Sequence, residues 1–170
     1  VLPHGTDGPM RTLYGNVWST SSAGQAEGNS VADSAYGDDG LPLHTDMTYY
    51  RDPPGLQIFT IIQPAIQGGE STFCDGFAVA EQLRQSDPEA FRILSNVVRR
   101  YRCIDNTTGW HLEASGKVIE VRDGQIVGIR HNDLDRLPDL PPAEVTEPKK
   151  IDEFYESLSK AHAAWDKLLS

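Results

Sequence analysis

A histidine and an aspartate separated by one residue, His44 and Asp46, are the pair in this sequence best suited to metal chemistry. The surrounding segment, 41–50, has the alternation of a strand, and residues two apart on a strand point to the same side. An imidazole nitrogen and a carboxylate oxygen can then meet at one point. They would supply two members of the two-histidine, one-carboxylate triad that holds Fe(II) with open positions. A surface histidine beside a solvated aspartate gives the same pattern, so the pair alone leaves both interpretations open.

Length and composition restrict the kind of protein that carries this pair. The chain has 170 residues and a formal net charge of −10, which favours one domain with a sizeable core. An acidic chain argues against a nucleic-acid partner, because phosphate binding needs a basic face. No apolar run is long enough to cross a membrane, and Cys74 and Cys103 match no disulfide framework. The charge is compatible with a small cationic substrate, and a homodimer is left open.

Hydrophobic patterning and turn residues predict a mostly β domain with flanking helices. Helices are predicted at 78–85, after Asp87-Pro88, and at 151–169, where apolar residues recur every three or four positions. Asp123-Gly124 between alternating runs predicts a tight hairpin, and many short strands with long loops suggest a double-sheet jelly roll. The predicted strands are 11–18, 41–50, 56–63, 70–74, 97–104, 118–122 and 125–130.

Six short motifs occur in an order that resembles a known enzyme family. They are Tyr14-x-x-x-Trp18, Ala35-Tyr36, Leu43-His44-Thr45-Asp46, Pro54-Gly55-x-Gln57, Gly68-Gly69-Glu70-Ser71 and Asp75-Gly76-Phe77. Together they resemble the Fe(II)- and 2-oxoglutarate-dependent oxygenases that hydroxylate trimethylammonium substrates in carnitine biosynthesis, the trimethyllysine and γ-butyrobetaine dioxygenase family. The resemblance covers nearly the whole chain, and its most specific part is the segment 44–77.

The resemblance implies a fold, a metal and a co-substrate. The fold would be a double-stranded β-helix, the form of jelly roll in this family, with His44 and Asp46 as Fe(II) ligands. Ser71 would help to hold the tail carboxylate of 2-oxoglutarate, although a strand-end hydroxyl bonded to the backbone is an equal alternative. Ascorbate is the expected reductant, and the expected location is the cytoplasm or the mitochondrial matrix.

Three aromatic residues, Tyr14, Trp18 and Tyr36, fit the recognition of a quaternary ammonium group. Such a group has no N–H to donate, whereas aromatic faces attract it through the ring quadrupole. The resemblance implies a cage built from these three rings. Ordinary core packing is the alternative, because most aromatic side chains are used in that way.

Acidic residues favour trimethyllysine as the substrate. Asp33 would suit the α-ammonium of trimethyllysine and repel the bare carboxylate of γ-butyrobetaine, and Asn132 and Asp133 lie in a second segment that the resemblance assigns to the substrate. Pro53-Pro54-Gly55 is closer to γ-butyrobetaine hydroxylases, which keeps that alternative open. An alternative of another class is a non-catalytic module that binds a quaternary ammonium ligand and has lost iron. A weaker one is an oxygenase of the same superfamily that acts on a sulfonate or an amino acid.

The second iron-binding histidine of this family has no matching motif in the chain. The resemblance implies that it lies downstream of the last helix in an Asn-x-Arg-x-x-His-Gly-Arg segment, whose final arginine binds 2-oxoglutarate, and no such segment occurs. Among the other histidines, His131 is the best substitute. The expectation is therefore a single oxygenase domain over residues 1–170, truncated at both ends, with a jelly roll that is incomplete at the C-terminus.

Overall fold

The structure, a computed structural model, describes residues 40–61, 64, 66–105 and 109–170. The predicted strand at 11–18 and the predicted substrate residues Tyr14, Trp18, Asp33 and Tyr36 lie outside these residues. The elements of the described part are α1 (Gly76–Ser86), α2 (Pro88–Leu94), β1 (Val98–Asp105), β2 (Trp110–Lys117), β3 (Ile119–Arg122), β4 (Gln125–Ile129) and α3 (Pro148–Leu169).

The four strands form two antiparallel hairpins, β1 with β2 and β3 with β4. At the tip of the second hairpin Asp123 and Gly124 have φ angles of 51° and 77°. Two successive left-handed residues are what a type I′ turn requires, and its twist matches that of the strands. This confirms the predicted hairpin. Strand β2 was not predicted from the sequence, because its charged residues, serine and glycine give a weak strand signal.

The helices begin where the sequence supplies caps. The Asp75 carboxylate accepts hydrogen bonds from the N–H groups of Phe77 and Ala78 at 3.0 and 3.1 Å, which closes the first turn of α1. Asp87 caps α2 with one such bond, which its carboxylate accepts from the Ala90 N–H at 3.0 Å, and Pro88 occupies the first position. All three predicted helices are confirmed, and α3 begins slightly earlier than predicted, at Pro148. Within the described part, no helix is long and apolar enough to cross a membrane.

The main core lies between the three helices and β3. Its most deeply buried large side chains are Leu83, Leu94, Ile119 and Trp165, each at most 1% exposed. A second, smaller cluster joins Met47 and Tyr49 to Tyr101 of β1. This second cluster matters for function, because it packs the loop that carries His44 and Asp46 against the first hairpin.

Two predicted strands, 56–63 and 70–74, are wrong as far as the described residues show them. Residues 56–61 and 70–74 pair with no strand in the described part, and Ile58 and Phe73 are 80% and 92% exposed. A strand needs a ladder partner for its backbone groups, and neither segment finds one among these residues. The described part is thus a set of small antiparallel sheets with flanking helices, and it does not close into a double-stranded β-helix.

Candidate metal centre

His44 and Asp46 lie in a loop that brings their side chains together. The predicted strand is wrong here as well: residues 46–49 form a turn, in which the Tyr50 N–H donates to the Met47 carbonyl oxygen at 3.0 Å. The imidazole Nε2 of His44 nevertheless lies 3.2 Å from Oδ1 of Asp46. The convergence expected of the pair is therefore present, although residues 44 and 45 lie in a loop and not in a strand.

The ring of His44 is oriented by a backbone carbonyl. Its Nδ1 lies 2.7 Å from the carbonyl oxygen of Pro42. Since a carbonyl oxygen can only accept, Nδ1 carries the proton and donates it there. This leaves Nε2 directed at Asp46, and a histidine that ligates a metal commonly donates its other ring N–H to a carbonyl or carboxylate in this way.

The two side chains shift each other's protonation. The hydrogen bond with Asp46 is the largest cause that raises the pKa of His44 to about 9, while burial acts in the opposite direction. The same hydrogen bond lowers the pKa of Asp46, with a further contribution from the side chain of Gln57. At neutral pH the pair is thus an imidazolium and a carboxylate, and a metal ion bound at Nε2 must displace a proton.

The residue between the pair fastens the loop to the end of β4. The Thr45 N–H donates to the carbonyl oxygen of His131 at 2.6 Å, and the His131 N–H donates to the Thr45 hydroxyl oxygen at 2.9 Å. Beyond the turn, the Thr48 hydroxyl donates to a carboxylate oxygen of Asp135 at 3.1 Å. These contacts join residues distant in sequence, so the loop is positioned by tertiary structure.

The donor set of the pair fits Fe(II), which imidazole nitrogen and carboxylate oxygen both bind. In the part of the chain that the structure describes, no group of three His, Cys, Asp or Glu side chains could hold a metal ion. His131 does not form such a group with the pair; the residue is 7% exposed, and its ring packs edge-on to Trp165, with centroids 6.1 Å apart. The described residues therefore supply two of the expected ligands.

The other predicted site residues have different fates. The Asn132 amide donates to Asp135 and its oxygen accepts the Leu134 N–H. Oδ1 of Asp133 lies 3.2 Å from Nη1 of Arg99 and 3.0 Å from Nε of Arg136. Both side chains are thus engaged within the protein, and their role toward substrate stays a prediction.

Ser71 is exposed in the loop before α1, and its role toward 2-oxoglutarate also stays a prediction. A role for Gln57 was not predicted, although the residue belongs to the motif Pro54-Gly55-x-Gln57. Its position after Pro54-Gly55 was the available signal, and its contact with Asp46 gives that motif a physical purpose.

A cleft of about 380 Å³ adjoins His44. Its volume lies in the usual range for small-molecule sites. Its walls come from the loop before α1, from the end of β4 and from α3; among the residues are Phe73, Phe77, Ile129, His131 and Trp165. The candidate ligand His44 thus borders a space large enough for a small organic molecule.

Several known dioxygenases are similar to this chain. Human γ-butyrobetaine dioxygenase is 31% identical over 153 residues, which cover 88% of this chain and 37% of that protein. Bovine mitochondrial trimethyllysine dioxygenase is 34% identical over 129 residues, covering 74% of this chain and 30% of its own length. The γ-butyrobetaine dioxygenase of Pseudomonas sp. (strain AK-1) is 34% identical over 134 residues, which cover 74% of this chain and 34% of that protein.

These similarities confirm the resemblance that the motifs indicated. The chain spans about a third of the length of the relatives that it matches. Residues 2–162 match the family model described as taurine catabolism dioxygenase TauD, TfdA family. The match covers almost all of the sequence and includes the candidate pair. The chain therefore belongs to the TauD/TfdA family of dioxygenases.

Proposed function

We propose that this chain is part of an Fe(II)- and 2-oxoglutarate-dependent hydroxylase that acts on a trimethylammonium substrate. Family membership supports the reaction class, and the relatives are named for trimethyllysine and for γ-butyrobetaine. The single observation that carries the proposal is the 3.2 Å approach of His44 Nε2 to Asp46 Oδ1. The family also implies a jelly roll for the whole protein, in which the two described hairpins would be one part.

The chain's own contribution is to hold and orient the reactants. His44 would bind iron through Nε2 after losing a proton, and Asp46 would bind through its carboxylate, which Gln57 helps to orient. A third protein ligand must come from outside this pair. When bound, Fe(II) supplies the oxidising chemistry: one atom of O₂ enters succinate as 2-oxoglutarate loses carbon dioxide, and the other becomes the product hydroxyl.

Trimethyllysine is the substrate that we propose within this class. The choice depends on Asp33, because Asp133 is already paired with Arg99 and Arg136. A carboxylate at position 33 would attract the α-ammonium of trimethyllysine, which γ-butyrobetaine lacks. Tyr14, Trp18 and Tyr36 are proposed to surround the trimethylammonium group that both compounds share.

The direct test is succinate formation by the protein with Fe(II), ascorbate, 2-oxoglutarate and each candidate substrate. Asp46→Ala should abolish substrate-dependent succinate formation, because it removes a ligand. Asp52→Ala is the matched control, since Asp52 is an exposed carboxylate farther along the same loop, and it should keep the wild-type rate. Equal rates for both variants would contradict the proposal.

The substrate assignment has its own test. Asp33→Asn should lower the rate with trimethyllysine and raise the relative rate with γ-butyrobetaine, because the carboxylate that repels the latter becomes neutral. Trp18→Ala should weaken the binding of both substrates to the same extent, since they share the trimethylammonium group. An unchanged preference after Asp33→Asn would point to γ-butyrobetaine or to another determinant of specificity.

A non-catalytic module that binds a quaternary ammonium ligand is the competing proposal. The absence of a third ligand among the described residues favours it. Calorimetric titration with trimethyllysine separates the two: binding that survives Asp46→Ala, with no succinate formed under any condition, would support the module. Turnover by the wild type that Asp46→Ala removes would exclude it.

A further inference from the structure

Arg130, which follows β4, reaches the loop of the candidate pair with its guanidinium group. Nη1 donates to the carbonyl oxygens of Thr48 and Tyr50 at 2.7 and 2.9 Å, and Nη2 donates to the carbonyl oxygen of Arg51 at 3.1 Å. These three acceptors lie just after Asp46 in the chain. The rigid, planar arrangement of guanidinium donors holds several acceptors in one fixed geometry, so one side chain fixes the conformation of this turn.

Two further contacts hold Arg130 itself. Its N–H donates to the carbonyl oxygen of Val118 at 2.9 Å, and its carbonyl oxygen accepts the hydroxyl of Tyr101 at 3.0 Å. Tyr101 is fully buried in the small core that also contains Met47 and Tyr49. The backbone from which the guanidinium extends is therefore anchored to β1 and to the residue that joins the two hairpins.

Gly116 of β2 provides the space through which the side chain passes. A Cβ atom at this position would lie 2.7 Å from Nε of Arg130 and 3.1 Å from its Cζ. A free arginine would move aside at little cost, but three hydrogen bonds hold this one. Glycine inside a strand often marks the close approach of another group, and here that group is Arg130.

We infer that Arg130 is a positioning residue for the metal ligands His44 and Asp46, and that Gly116 is required for this role. The inference rests on the proposed function. Without the guanidinium, the carbonyl groups of Thr48, Tyr50 and Arg51 lose their shared donor, and the turn that follows Asp46 is free to move and to carry the carboxylate away from His44. Partners that orient metal ligands are commonly worth about 10- to 100-fold in metal affinity.

The test measures Mn(II) affinity of the full protein by electron paramagnetic resonance of the free ion, together with the absorption spectrum of bound Co(II), which reports ligand geometry. The variants are Arg130→Ala, Arg130→Lys, Gly116→Ala and the double variant Gly116→Ala/Arg130→Ala. Gly128→Ala is the matched control, because a Cβ at that strand glycine would meet Glu120 at an ordinary 3.5 Å.

We expect Arg130→Ala and Gly116→Ala each to weaken Mn(II) binding by about 10- to 100-fold and to alter the Co(II) spectrum. Arg130→Lys should recover part of the affinity, since an ammonium can serve some of the acceptors. In the Arg130→Ala background, Gly116→Ala should add little, because the atoms with which it clashes are gone. Gly128→Ala should match the wild type.

A purely structural role would give a different result. Variants that lower the melting temperature while the folded protein keeps wild-type Mn(II) affinity and Co(II) spectrum would overturn the inference and leave the proposed function intact. Additive losses in the double variant would overturn the role of Gly116. A wild-type protein that binds neither Mn(II) nor Co(II) would instead overturn the proposed function, and the inference with it.

Discussion

At the scale of single residues, the two ring nitrogens of His44 have separate uses. Nδ1 is committed to Pro42, and Nε2 faces Asp46. The raised pKa of His44 means that, in the metal-free protein, the pair stabilises the fold fully below the ordinary histidine value of 6.5 and loses this contribution as pH rises through about 9. The lowered pKa of Asp46 means that its contribution to stability is instead lost as pH falls into the acid range.

Replacing Asp46 with asparagine should lower the pKa of His44 from about 9 toward 6.5. The change removes the carboxylate whose hydrogen bond and charge favour the imidazolium. A pH titration of the His44 ring by NMR in the metal-free protein measures the shift directly. Asp52→Asn is the control and should leave the His44 titration unchanged. A pKa that stays near 9 in Asp46→Asn would show that another group holds the proton.

His162 in α3 contributes to stability with a pH dependence opposite to that of His44. Burial, with help from the charge of Arg99, lowers its pKa to about 4, so the unfolded chain binds a proton more readily than the folded one between pH 6.5 and 4. Stability should therefore fall as pH falls through this window, by up to about 3 kcal/mol from this residue. His162→Phe should flatten the dependence in urea unfolding at pH 7 and pH 5. The exposed His111, changed to phenylalanine, should not.

At the scale of elements, the sequence correctly predicted those helices and turns that depend on residues close together in the chain. Asp123-Gly124 and the caps Asp75 and Asp87 each act within a few residues, and the elements that they begin or join were predicted from the sequence. The segment 56–61 was mispredicted because a strand depends on a partner, and its apolar residues alone do not say which one.

The types of the candidate ligand residues could be predicted from the sequence, but the contacts that hold them in place could not. The pattern His44-x-Asp46 predicted two converging ligands, and the convergence is present although the backbone forms a turn. The contacts of Arg130 with residues 48–51 join positions about eighty residues apart, and Gly116 has meaning only once Arg130 is seen beside it. Neither hydrophobic periodicity nor a short motif predicts contacts between residues so far apart in the chain.

The N-terminal cap of α1 gives a testable prediction at the scale of elements. Asp75 caps this helix and also borders the cleft beside His44. Asp75→Ala should lower the free energy of unfolding by about 1 kcal/mol, since two N–H groups of the first turn lose their acceptor. Asp75→Ser should restore most of this loss, because serine caps well. Urea unfolding of the three proteins measures the difference, and equal stability of Asp75→Ala and wild type would show that water replaces the cap without cost.

At the scale of the molecule, a buried ion pair joins the first hairpin to the segment that leads into α3. Arg99 of β1 is 2% exposed along its side chain, and its Nε and Nη2 each lie 3.0 Å from one of the two carboxylate oxygens of Asp139, whose side chain is 7% exposed. Tyr155 of α3 donates to the carbonyl oxygen of Asp139 at 3.1 Å. The same segment contains Asp135, which accepts from Thr48, so the ion pair also steadies the loop of the candidate metal centre.

Arg99→Met should therefore destabilise the protein by about 3 to 5 kcal/mol, because it removes the main partner of the buried carboxylate of Asp139 and leaves only Arg136, whose Nη1 lies 3.8 Å away. The double variant Arg99→Met/Asp139→Leu should recover most of that loss, since two apolar side chains of similar size bury no charge. Urea unfolding provides the measurement. Arg92→Met is the control: Arg92 pairs with Glu89 on the exposed face of α2, where ion pairs contribute little. A double variant as unstable as Arg99→Met alone would mean that the two positions hold the hairpin and α3 together through their shape and hydrogen bonds, and that the charge of Asp139 is not the source of the cost.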